Sequence, residues 1–100
     1  MKLDILAFGA HPDDVELACS GTLAKHKKMG HKTGVADLTD GELGTRGNPE
    51  LRRSEAMKAA EIMGLETRHF FGFRDGFFQN DEHHRIKVIE ILRHFQPDIV

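Results

Sequence analysis

Apolar positions along the chain fall into short runs separated by polar, glycine-bearing segments, and the runs alternate between strand-like and helix-like spacing. Residues 3–10 (LDILAFGA) are nearly unbroken apolar, the pattern of a central strand covered on both faces. A turn at His11–Asp14 follows. From Val15 to Met29, Leu17, Ala18, Gly21, Leu23 and Ala24 mix with Lys25, Lys27 and Lys28. This predicts an amphipathic helix with cations near its C-terminus and Gly30 as its stop. Residues 32–39 read as a second strand, and 40–49 as a loop punctuated by Gly41, Gly44, Gly47 and Pro49. Glu50–Met63 is a second helix, with Pro49 at its first turn, Leu51, Ala56, Ala59, Ala60 and Met63 on or near one face, and Gly64 closing it. Thr67–Phe73 is a third strand and 74–81 a loop. Glu82–Phe95 is a third helix, in which Val88, Ile89, Leu92 and Phe95 recur at helical spacing.

Strands alternating with helices imply right-handed crossovers and a parallel sheet. The expected fold class is therefore α/β, a Rossmann-like three-layer α/β/α arrangement with a mostly parallel sheet. Residues 96–100 (QPDIV) open a fourth strand that stops almost where it starts, so residues 1–100 are expected to be the N-terminal part of one α/β domain, with no internal boundary.

Composition narrows the partners. Hydrophobic residues make up 39% of the 100, enough for one small core, and 14 Lys and Arg against 16 Asp and Glu give a net charge of −2. No stripe of one sign stands out, so neither nucleic acid nor an anionic membrane is an expected partner. The apolar run near the N-terminus is interrupted by Asp4 and is too short for a secretory core or a membrane span. The single cysteine, Cys19, has no internal partner, which agrees with a reducing, cytoplasmic setting.

The chemistry concentrates in residues 9–17, GAHPDDVEL. In open parallel sheets ligands bind beyond the C-terminal ends of the strands, and this segment lies at such an end. His11 offers an imidazole and Asp14 a carboxylate three residues on, a donor set suited to Zn²⁺ or a similar divalent ion. Pro12 fixes one φ angle between them. Two adjacent carboxylates repel each other unless a cation compensates, so a bound metal relieves a cost that the sequence accepts. Asp13 is then free to act as general base toward water that the metal has acidified. The plain alternative is that Asp13 or Asp14 only caps the following helix.

These residues resemble a known family. AHPDD (10–14) with VELACSGTLAKHKKMGH (15–31) is similar to the LmbE-like, or PIG-L, superfamily of metal-dependent N-acetylglucosaminyl deacetylases. LTDGELGTRGNPELRRSEAMKAAEIMG (38–64) looks most like the branch that deacetylates N-acetylglucosaminyl-malate in bacillithiol biosynthesis. The ACSG stretch (18–21) departs from the more glycine-rich run expected there. The resemblance implies His11 and Asp14 as zinc ligands, with another divalent ion such as Fe²⁺ as the alternative metal, and Asp13 as general base. A third ligand and an oxyanion-stabilising histidine are expected beyond Val100. The implied reaction is hydrolysis of an acetamide on a small N-acetylglucosaminyl conjugate, giving acetate and a free amine, and a homo-oligomeric assembly is expected.

Other residues are weighed on their own chemistry. Glu42, Arg46 and Arg53 lie in or near the loop after the second strand, where an arginine fork suits a malate carboxylate, although pairing with neighbouring acids serves equally well. Arg46 is the preferred substrate contact; sequence alone does not separate Arg52 from Arg53. His83 and His84 are adjacent and face different directions, so they read as a solvated helix start. His69 reads as a core or edge histidine, Cys19 as a small buried side chain, and the phenylalanines of residues 70–73 and 76–78 as core and loop anchors, with Phe77 or Phe78 lining a substrate entrance as the alternative. A phospho-accepting receiver would need an aspartate at the end of the third strand, where the chain has FFGF (70–73), and a haloacid-dehalogenase-type phosphatase would need D-x-D. A deacetylase of a different N-acetyl sugar conjugate and a non-catalytic metal-binding module stand as alternatives.

Overall fold

The computed structural model describes residues 1–45 and 47–100. The elements run β1 (Ile5–Gly9), α1 (Asp14–Lys28), β2 (Thr33–Thr39), α2 (Pro49–Met63), β3 (Thr67–Phe73) and α3 (Glu82–Phe95). The strands pair in the order β1-β2-β3 and are all parallel, with Ala7 beside Val35 and Val35 beside Arg68. Near the end of the chain Ile99 bridges Ile5 in parallel: its N–H donates to Asp4 O and its carbonyl accepts from Leu6 N–H, both at 3.0 Å. Ile5 N–H points instead to Lys32 O, so the Ile99 segment occupies the edge of β1 opposite β2.

Strand alternation sorts the core into two layers. Leu6 and Ala36 join Leu3 and Phe95 on one face, with Phe8, Phe71, Ile91 and Leu92 packed around them, so α3 covers that side. Val35 joins Val15 and Leu23 on the other, with Ile5, Ala7 and Leu65 against them, so α1 covers the opposite side. α2 packs beside α1 and β3. The three-layer α/β/α expectation holds. Leu3, Leu6 and Val35 are fully buried, each worth roughly 1.5–3 kcal/mol against exposure.

The helix ends follow local chemistry. The Asn48 side chain accepts Leu51 N–H at 2.8 Å ahead of Pro49, and α2 ends on Gly64 at φ 68°. In α3 the Asp81 carboxylate accepts His84 N–H at 3.0 Å.

The stripe expected along α1 is corrected. Cys19 leaves the helical region, at φ −146° and ψ 21°, and this break shifts the helical phase. Only Val15 and Leu23 are buried in the helix, and Leu17 is 83% exposed. Cys19 itself is a free, half-buried thiol packed against the α1 side of the core. On α2, Leu51 is exposed while Ala56, Ala60 and Met63 face inward. Among the described residues no helix is long and apolar enough to cross a membrane.

Candidate active site

The end of β1 and the start of α1 are held very close together. A Cβ on Gly9 would lie 3.2 Å from Val15 Cγ2 and 3.3 Å from Asp14 Cβ, so this position suits glycine. Thr39 at the end of β2 fixes the turn from the neighbouring strand, its N–H and hydroxyl both donating to Ala10 O at 3.0 and 2.8 Å. Asp13 then adopts φ 96°, a left-handed conformation that aspartate reaches more readily than most residues but that stores strain. It occupies the N-cap position of α1, yet its carboxylate makes no capping hydrogen bond. The helix-cap reading of Asp13 is therefore not the arrangement found.

His11 and Asp14 come together as the spacing predicts. His11 N–H donates to Asp14 Oδ2 at 3.0 Å, and His11 Nδ1 lies 3.6 Å from the same oxygen. Two bonds of about 2.0–2.2 Å at a near-tetrahedral angle span roughly 3.4 Å, so this donor pair fits one zinc-sized cation. Both side chains are nearly half exposed, His11 at 44% and Asp14 at 45%, leaving the pair open to a further ligand. Among the described residues, no group of three or more His, Cys, Asp or Glu side chains is placed to hold a metal.

Asp75, in the loop after β3, joins the site without any mark in the sequence pattern. His11 Nε2 lies 2.7 Å from Asp75 Oδ1. Asp75 Oδ2 accepts Leu43 N–H at 3.1 Å, and Asp75 N–H donates to Glu42 Oε2 at 2.9 Å. The His11 contact first, then the Leu43 N–H and the charges of His11 and Arg52, hold the Asp75 carboxyl below the usual carboxylate range. Glu42 thus reaches the site through the Asp75 backbone.

The arginine facing this centre is Arg52, in place of the expected Arg53. Arg52 donates to Gly41 O at 3.0 Å and to Pro12 O at 3.1 Å, and its Nη2 lies 3.9 Å from Asp13 Oδ2. A Cβ on Gly41 or Gly44 would come within 2.6 Å of this guanidinium, so the loop glycines make its room. Arg53 instead pairs with Asp40 at 2.7 Å and stacks 4.5 Å over the Phe70 ring, because the next residue on a helix points about 100° away. Arg46 lies outside the described residues. Asp13, Arg52, Gly44, Leu51 and Glu55 line an open cleft beside the turn.

Behind the site a second charged cluster fixes α1. Arg68 bonds both oxygens of Asp37, at 2.7 and 3.0 Å, and also donates to Glu16 Oε1 and Ala56 O. The Arg68 and Asp37 side chains are fully buried. Burial pushes the Asp37 carboxyl up, against the pull of the guanidinium on both oxygens. A charged residue inside each of two apolar strands was the available sequence signal for this pair.

His69 and His84 are structural here. Burial lowers the His69 imidazole, which meets the Phe71 ring edge-on. His84 bonds the capping Asp81 through Nδ1 at 2.6 Å and packs edge-on to Phe73, while His83 is exposed. Phe78 packs at a tilt against Phe73 and His84, and Phe77 is exposed under Arg74. A cleft roomier than the one beside Asp13 runs along β3 and α3, lined by His69, Phe71, Arg74, His84 and Lys87. It contains none of His11, Asp13 and Asp14, and the paired donors, not cleft size, mark the site.

Comparison with known proteins bears on the fold and the family. Over 71 residues the chain is 38% identical to "Uncharacterized deacetylase YaiS" of Escherichia coli (strain K12), covering 71% of this chain and 38% of the relative. It is 29% identical to a 4-oxalmesaconate hydratase of Pseudomonas putida, covering 95% of this chain and 41% of that protein. The solved N,N'-diacetylchitobiose deacetylase from Pyrococcus horikoshii superposes with a TM-score of 0.88 at 28% identity, over 95% of this chain and 39% of that one. The chain spans about two fifths of the length of these relatives. Residues 6–100 match the model of the PIG-L family, GlcNAc-PI de-N-acetylase, and the chain belongs to that family.

Proposed function

We propose that the full protein is a metal-dependent hydrolase that removes the acetyl group from an N-acetylglucosaminyl conjugate, with N-acetylglucosaminyl-malate of bacillithiol biosynthesis as the substrate. The observation that carries this reading is the open donor pair His11 Nδ1 and Asp14 Oδ2, 3.6 Å apart, beside an Asp13 carboxylate with no capping role. His11 and Asp14 would hold Zn²⁺, which when bound polarises an acyl oxygen and acidifies water. Asp13 takes the proton of the attacking water as the C–O bond forms, then returns it to the nitrogen as the C–N bond breaks, releasing acetate and a free amine. Arg52 steadies the turn that presents Asp13, through its bond to Pro12 O. Arg46 remains our proposed contact for a malate carboxylate, whereas Arg53 is occupied by Asp40 and Glu42 by the Asp75 backbone.

Acetate release by the full-length protein is the test, with N-acetylglucosaminyl-malate and N,N'-diacetylchitobiose offered in parallel. Release from the malate conjugate that stops on chelation and returns with Zn²⁺ is the expected result. Release from chitobiose alone would move the substrate to another N-acetyl sugar. Release from neither would leave the likeness to the hydratase as the better guide.

A further inference from the structure

We infer that Asp75 is the positioning residue that sets His11 as a metal ligand, an inference that rests on the metal-binding reading above. The two residues are 64 positions apart, and only the meeting of the β1–α1 turn with the loop after β3 joins them. The Asp75 side chain is 9% exposed and nothing about it is loose: one oxygen meets His11 Nε2 at 2.7 Å, the other accepts Leu43 N–H, and its backbone N–H is held by Glu42.

A carboxylate can only accept here, so Nε2 must carry the proton. In a neutral ring the lone pair then lies on Nδ1, the atom that faces Asp14. The distances agree with this tautomer. A proton on Nδ1 would draw Asp14 Oδ2 into a hydrogen bond, whereas the two atoms stand 3.6 Å apart, beyond hydrogen-bond range and suited to sharing a cation. Ligating histidines generally donate their second ring N–H in this way, and loss of the acceptor typically weakens metal binding 10- to 100-fold. Asp75 therefore fixes both which nitrogen is available and where it points, without touching the metal. Glu42 and the Leu43 N–H hold the carboxylate in place, so the loop after β2 buttresses the metal site from the side opposite Asp14.

The test uses the full-length protein with ¹⁵N-labelled histidine. In the metal-free wild type at pH 8, long-range ¹H–¹⁵N correlation spectra should show His11 as the Nε2–H tautomer; in Asp75→Ala that preference should be lost. Competition against a chromogenic chelator should then show Zn²⁺ affinity weakened about 10- to 100-fold in Asp75→Ala, and by less in Asp75→Asn, which keeps an acceptor and nearly the same shape. An Nδ1–H wild-type ring, or an unchanged tautomer with unchanged affinity in both variants, would overturn the inference while leaving the metal site standing. A wild type that binds no Zn²⁺ would overturn the metal reading itself.

Discussion

Asp14 and Glu16 stand two residues apart at the start of α1, yet they belong to charged clusters that the fold treats in opposite ways. Glu16 joins Arg68 and Asp37, where the guanidinium is fully buried and spreads its hydrogen bonds over two carboxylates and a carbonyl. That cluster is closed. Asp14 joins His11 and Asp13, whose side chains are 44–60% exposed and whose donor atoms face one another without bonding fully. The cluster that serves the fold is saturated and dry, whereas the cluster proposed to serve chemistry lies half exposed at the surface. Burial is costly for an ion unless its partners are complete, so an incomplete set can persist only where solvent or a ligand reaches it.

Substitutions can sharpen or break this contrast. Asp13→Asn should reduce deacetylation by the full-length protein about 10²- to 10⁴-fold, the range for loss of a general base, because the amide cannot take the proton. Asparagine tolerates the left-handed φ of 96°, so the urea midpoint should hardly move; a large loss of stability would mean that Asp13 belongs to the fold. In the closed cluster the effects should invert. Arg68→Met should cost about 3–5 kcal/mol in urea unfolding by stranding Asp37, and adding Asp37→Leu should recover most of it. If the double variant is as unstable as the single one, the pair is more than a saturated buried contact. Asp81→Ala should have the smallest effect, present at neutral pH and vanishing in acid. The His84 backbone N–H, then its imidazole, hold the Asp81 carboxyl below its ordinary value. Its stabilisation is therefore complete above about pH 3.9 and is lost as pH falls through the lowered folded-state value. The variant's stability should fall less steeply than the wild type's below about pH 4.

The same contrast explains how much could be read from the chain. The strands, the helix stops at Gly30 and Gly64 and Pro49 at the start of α2 are local signals, and the structure keeps them. That His11, Asp13 and Asp14 stand together was legible because they are neighbours at a strand end. Asp75 was not, because its role depends on a loop 64 residues away folding back over His11. Arg52 and Arg53 carry the same chemistry, and helix phase alone decides that Arg52 faces Asp13 while Arg53 meets Asp40. The break at Cys19 had no marker, since neither glycine nor proline stands there, and so the continuous stripe through Leu17 misled.

The most direct measurement is the metal content of the full-length protein after purification in Zn²⁺ and dialysis, for the wild type, His11→Ala and Asp14→Ala, with the fold of each checked by circular dichroism. One equivalent in the wild type, lost from both folded variants, is the predicted result. Wild-type protein that retains no metal, or folded variants that keep their full equivalent, would contradict a metal centre built on His11 and Asp14.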